Sequence, residues 1–132
     1  VLGLKHFSQR VAERSKVWSY YDEFFADIDI VETTAIPHGV ALNYAYYPVK
    51  IVDRNIDLDE VVRKLAAKDI IARKYFSELL TEMPFFKDSL TVGTLDNATA
   101  LSNRILCLPI HESYVPHQDF IATEVLAALK YA

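Results

Sequence analysis

The sequence predicts a small α+β domain, a three-stranded sheet covered by helices. Three observations lead there. Helical repeats and short strand-like runs alternate, in the order helix, strand, helix, strand, helix, strand, helix. The strands are few and their connections carry long irregular parts, which argues against a doubly wound parallel sheet. The length of 132 residues suits one domain over 1–132, and 52% hydrophobic content, with 8 Tyr, 7 Phe and one Trp, can fill its core.

The first element is a long helix. Leu4, Phe7, Val11, Trp18, Tyr21, Phe25 and Ile28 recur at three- and four-residue steps, placing them on one stripe, with Arg14 where the pattern skips. No capping residue precedes Leu2, and Val1 stands where a methionine would open a chain. Both a cut through a longer helix and fraying at a natural terminus account for this. A loop over 29–42 follows, punctuated by Pro37-His38-Gly39. Residues 43–52, aromatic and β-branched, read as a strand, placed at an edge or interrupted because Pro48 has no N–H to donate. Asp57 then caps a helix running to about Lys68, with Glu60 three residues on and Leu58, Val61, Val62 and Leu65 as its buried stripe. Residues 70–76 read as a second strand, followed by a loop around Pro84 with Met83, Phe85 and Phe86. A helix over 95–103, a third strand over 104–109 and a last helix opened by Pro116 complete the chain. Phe120, Ile121, Val125 and Leu129 form the apolar face of that last helix.

Composition excludes several kinds of chemistry. Three glycines, far below the usual share of about 7%, stand apart at 3, 39 and 93, so no glycine cluster exists to cradle a phosphate. Fourteen basic against eighteen acidic residues give a net charge of −4 with no basic stripe, so a nucleic-acid partner is not expected. The lone Cys107 cannot form an internal disulfide. No apolar run approaches the length of a membrane span, and the first residues lack the layout of a signal peptide. A soluble cytoplasmic protein with no membrane partner is expected.

Most reactive side chains read as structural. Cys107, flanked by leucines, fits a buried small hydrophobe better than a nucleophile or a metal ligand beside His111 and His117. No serine sits in a Gly-x-Ser-x-Gly elbow. Asp27, Asp29, Asp57, Asp59 and Glu60 fall where caps and solvated faces place carboxylates. The aromatic run Tyr44–Tyr47 reads as sheet packing rather than a base-stacking platform. More informative is Ala72-Arg73-Lys74-Tyr75-Phe76, two cations and two aromatics entering an irregular loop. Arg offers a bidentate donor and an aromatic ring a flat apolar face, a pairing suited to an anionic or sugar-bearing ligand. A surface strand with a snorkelling Arg is the plainer reading of the same residues.

Four blocks in order carry a resemblance. They are Asn43-Tyr44-Ala45-Tyr46-Tyr47-Pro48-Val49, Ile71-Ala72-Arg73-Lys74-Tyr75-Phe76, Met83-Pro84-Phe85-Phe86, and Leu101-Ser102-Asn103-Arg104-Ile105-Leu106-Cys107-Leu108-Pro109-Ile110. Together they resemble the C-terminal part of the DegT/StrS-type sugar aminotransferases, of fold type I. The resemblance implies a pyridoxal-phosphate enzyme that moves an amino group from glutamate to a nucleotide-linked keto sugar, acting as a homodimer in polysaccharide or antibiotic sugar biosynthesis. It implies that these residues form the small domain, with the cofactor-binding large domain absent. The family's Schiff-base lysine follows a Ser- or His-x-x-Lys pattern, and none of Lys5, Lys16, Lys50, Lys64, Lys68, Lys74, Lys87 or Lys130 has it. The resemblance therefore implies no catalytic residue and no cofactor contact in this chain, and inactivity on its own. It assigns Arg73 and Tyr75 to the substrate side, with Phe76 packing beside them. A non-catalytic binding or assembly module of the same fold is the alternative.

Overall fold

A computed structural model describes residues 2–75, 77–86 and 93–130. The leading helical stretch is divided. A short α1 (Leu2–Lys5) meets α2 (Phe7–Phe25) at His6, whose side chain makes no capping bond. The expected apolar stripe is buried only toward its C-terminal end, at Trp18, Tyr21 and Phe25. Leu4 is 77% and Phe7 49% exposed, and next along the helix pair Arg10 pairs with Glu112 of the turn before the last helix.

After a turn through Ala26–Ile28 comes β1 (Val31–Thr33), three residues inside the segment expected to be loop. Gly39 takes a positive φ of 82° in the turn closed by the Val40 N–H on the Pro37 carbonyl, a conformation that favours glycine. β2 (Tyr47–Ile51) is shorter than the expected 43–52 and alternates, burying Tyr47, Val49 and Ile51 on one face. α3 (Leu58–Ala66) follows, and Asp57 caps it as expected, its carboxylate accepting the Asp59 and Glu60 N–H groups at 2.9 and 3.4 Å. Glu60 makes ion pairs with Arg63 and Lys64.

Among the described residues the strand expected over 70–76 does not form. Its backbone is spent on leaving α3: Asp69 takes a φ of 59° and the Ile70 N–H returns to the Leu65 carbonyl at 3.0 Å. Only Arg73 pairs, in an isolated antiparallel bridge with Cys107. Beyond it lie a 3-10 turn (Leu80–Glu82) and α4 (Asp96–Ser102), which matches the expected helix. β3 (Ile105–Leu108) matches the third expected strand. A second 3-10 turn (Glu112–His117) contains Pro116, so that proline sits before α5 (Gln118–Lys130) rather than opening it. Ile121, Val125 and Leu129 face the core as expected, whereas Phe120 is 51% exposed.

Among the described residues the sheet is β1-β2-β3, antiparallel throughout, so the three-stranded α+β class holds with β1 in place of 70–76. Pro48 therefore lies in the central strand, not at an edge. The register explains it: β1 ends at Thr33 opposite Val49, so no β1 residue stands opposite Pro48 to want its missing N–H. The Thr34 hydroxyl donates to the Pro48 carbonyl at 3.3 Å in place of a ladder bond. Val49 and Tyr47 stand opposite Leu106 and Leu108, and this face shares one core with α2, α3 and α5. No described helix is long and apolar enough to cross a membrane.

Candidate functional site

Where β3 runs out, a shallow cleft of about 250 Å³ opens between the 71–75 segment, the residues before β2 and the Glu112–His117 turn. Arg73, Tyr75, Tyr46, His111 and Tyr114 provide its polar atoms and rings. Backbone pairing fixes the Arg73 side: its N–H reaches the Cys107 carbonyl at 3.0 Å and its carbonyl accepts the Cys107 N–H at 2.8 Å. That bridge leaves the guanidinium exposed, where its Nη1 donates to the Tyr75 hydroxyl at 3.2 Å. Tyr75 in turn meets Tyr46 edge to face, with ring centroids 5.0 Å apart. The two candidate residues expected on the substrate side are thus brought into hydrogen-bonding contact. The third, Phe76, lies outside the described residues.

The opposite wall hangs from β3 by Pro109. The buried Tyr21 hydroxyl of α2 donates to the Pro109 carbonyl at 3.0 Å, tying this wall to the core. His111 and Tyr114 follow, their rings 5.8 Å apart at 61°. Cys107 lies at the cleft's floor but is buried, and burial raises its thiol above the ordinary value. A neutral thiol is a poor nucleophile, in keeping with its expected structural place. Among the described residues no group of His, Cys, Asp or Glu is arranged to hold a metal.

Tyr46 and His111 enter the sequence reading only as structural residues, and Tyr114 carries no signal at all. Tyr46 was submerged in the Tyr44–Tyr47 run, of which only Tyr47 enters a strand. Tyr44 instead packs edge-on against Trp18, with a φ of 50°. His111 caps a 3-10 turn and Tyr114 lies within it, where no helix or strand period operates. The one available pointer was Pro109, which stops β3 and sends the chain across the cleft mouth.

A profile of the DegT/DnrJ/EryC1/StrS aminotransferase family matches residues 1–128. The chain belongs to this family. Amino transfer is thus the general chemistry of its relatives. It is similar to the dTDP-4-amino-4,6-dideoxy-D-glucose transaminase of Escherichia coli, 29% identical over 116 residues, covering 84% of this chain and 31% of that protein. The Shigella dysenteriae protein of the same description is 26% identical over 113 residues. The fold matches the aminotransferase TlmJ from Streptoalloteichus hindustanus at a TM-score of 0.84 and 21% identity, over 98% of this chain and 34% of that one. It matches Helicobacter pylori PseC, an aminotransferase involved in the biosynthesis of pseudoaminic acid, at 0.85 and 16%, over 98% and 35%. The chain spans about a third of the length of these DegT-family relatives.

Whether these residues suit the family's pyridoxal phosphate can be asked of the cleft directly. An aldehyde cofactor needs an amine to hold it, and no described lysine lines the cleft. Lys16, Lys50, Lys64, Lys68 and Lys74 are held in ion pairs on the surface, with Glu13, Glu32, Glu60, Glu124 and Asp59 respectively. The described lining of the cleft therefore offers that group no amine.

Proposed function

We propose that this chain is the C-terminal small domain of a pyridoxal-phosphate-dependent nucleotide-sugar aminotransferase, and that it forms a wall of the sugar pocket. The whole enzyme moves an amino group from glutamate to a keto-sugar nucleotide, and the cofactor and its lysine belong to a large domain outside these residues. The observation that carries this reading is the Arg73–Tyr75 contact inside the cleft, within a chain of that family. A guanidinium beside a phenol can hold an anionic or hydroxyl-rich ligand, with Tyr46 and Tyr75 offering flat faces to a sugar ring. Phe76 is assigned packing beside them.

The chain's part is binding and orientation. Arg73 supplies a fixed positive charge, and the rings exclude water from one side of the sugar. In the full-length enzyme, Arg73→Ala raises KM for the keto-sugar nucleotide about 10- to 100-fold, as expected for losing a charged hydrogen bond of about 1.5–3 kcal/mol. The kcat changes much less. A variant with unaltered KM removes Arg73 from the pocket.

Alone, the chain carries out no amino transfer. Addition of pyridoxal phosphate gives no absorbance of a lysine adduct, and borohydride fixes none. A borohydride-stable adduct mapped to one of its lysines overturns this. The reading frame upstream of Val1 encodes a large domain with a Ser- or His-x-x-Lys, and a frame without one favours the alternative, a binding or assembly module of the same fold.

A further inference from the structure

We infer that His111 is a positioning residue that sets the Tyr114 side of the cleft, through a cap only a neutral imidazole can make. The importance of that side for binding rests on the reading of the cleft as a ligand wall. The cap itself does not.

His111 leaves β3 with extended backbone (φ −156°, ψ 154°) and stands at the head of the Glu112–His117 turn. Its carbonyl accepts the Tyr114 N–H at 3.0 Å. Its Nδ1 accepts the Ser113 N–H at 3.2 Å and lies 2.9 Å from the Ser113 hydroxyl. One residue therefore holds the amides of Ser113 and Tyr114, while its ring packs edge-on against the Tyr114 ring. A short 3-10 turn has few bonds of its own, so this bracing decides where Tyr114 stands.

A ring nitrogen that accepts a backbone N–H carries no proton. The Ser113 contact thus fixes the neutral tautomer, with hydrogen on Nε2, 3.3 Å from Glu112 Oε2. Protonating Nδ1 turns the acceptor into a donor. The Ser113 hydroxyl can then accept it, but the Ser113 N–H is left without its partner. The charged groups about the ring are Glu112, the Arg10 and Arg14 of α2 that act on Glu112 (Arg10 at 3.1 Å from it), and Arg73 across the cleft. The other titratable groups lining this cleft are the Tyr46, Tyr75 and Tyr114 phenols and the buried Cys107 thiol. The cap is complete while Nδ1 carries no proton and is lost when it takes one.

Two-dimensional amide spectra of the full chain between pH 8 and 5 test the cap without any ligand. The Ser113 amide signal moves together with the His111 ring signals, and the Tyr114 ring signals follow the same curve. In His111→Asn the side-chain oxygen accepts the same N–H without titrating, and the Ser113 and Tyr114 shifts become flat with pH. A Ser113 amide or Tyr114 ring that ignores His111 protonation overturns the proposal. A folded His111→Asn variant that retains the Ser113 titration overturns it equally. The second arm uses dTDP-glucose as probe, read at the Tyr75 and Tyr114 rings. Affinity falls about fivefold from pH 8 to 5.5 in the wild type, the loss of one capping bond of about 1 kcal/mol, and is constant in His111→Asn. Equal pH dependence in both proteins overturns the positioning role. Absence of probe binding at every pH counts against the cleft as a ligand wall, while the Ser113 and Tyr114 titrations still decide the cap.

Discussion

At the scale of single residues, Arg104 ties three backbone carbonyls together. Its Nε donates to the Ile51 carbonyl at 3.0 Å, Nη1 to Ile56 at 3.1 Å and Nη2 to Asp53 at 2.5 Å. It gathers the chain between β2 and α3 around one planar cation, which suits a guanidinium and no other side chain. Arg104→Met keeps much of the volume but leaves three carbonyls without that donor. It lowers stability by about 3 kcal/mol, read as a lower urea midpoint at unchanged slope. Two buried phenols carry a pH signature. Burial raises the ionisation of Tyr21 and of Tyr47 far above the ordinary tyrosine value, and for Tyr47 the bond to Asp22 at 2.7 Å adds to it. Above pH 10 the unfolded chain releases these protons while the folded one retains them. Stability therefore falls as pH rises past 10, by about 1.4 kcal/mol per pH unit for each tyrosine. Tyr47→Phe halves that slope in alkaline urea titrations, and an unchanged slope contradicts the assignment.

Among the elements, those whose residues carry their own instructions were legible in the sequence. Asp57 announces α3 because a carboxylate at that position satisfies free N–H groups, and Asp57→Ala costs about 1 kcal/mol in thermal or urea unfolding. β3 was legible because Ile105-Leu106-Cys107-Leu108 is apolar up to a stopping proline. The misreadings share a cause. Residues 70–76 have strand composition, but the helix exit at Asp69 and Ile70 consumes the backbone before pairing can start. β1 was hidden because three residues are too few to show a period, and its pairing comes from β2, a distant partner. Pro48 was read as an edge marker because composition says a donor is missing, whereas only register says whether anyone needs it.

For the molecule as a whole, the core was foreseeable and the covering of its outside was not. The Leu4–Phe7 end of the first helical stretch continues the apolar stripe into solvent. We expect the chain to self-associate through this end. Sedimentation at rising concentration shows a growing average mass that Leu4→Glu/Phe7→Glu abolishes, and a strictly monomeric wild type refutes it. The candidate site was half legible. Arg73 and Tyr75 could be named because cation and ring stand two apart in a distinctive run, whereas the facing wall depends on where β3 delivers the chain. That geometry is a property of the assembled sheet, and no local pattern encodes it.

The bridge between Arg73 and Cys107 has one more consequence. Both of its bonds run through backbone atoms, so the segment is fastened to the sheet whatever side chain position 73 carries. On the proposed reading of the cleft, replacing Arg73 by any residue but proline changes the ligand side of the wall and leaves the fastening of the segment intact.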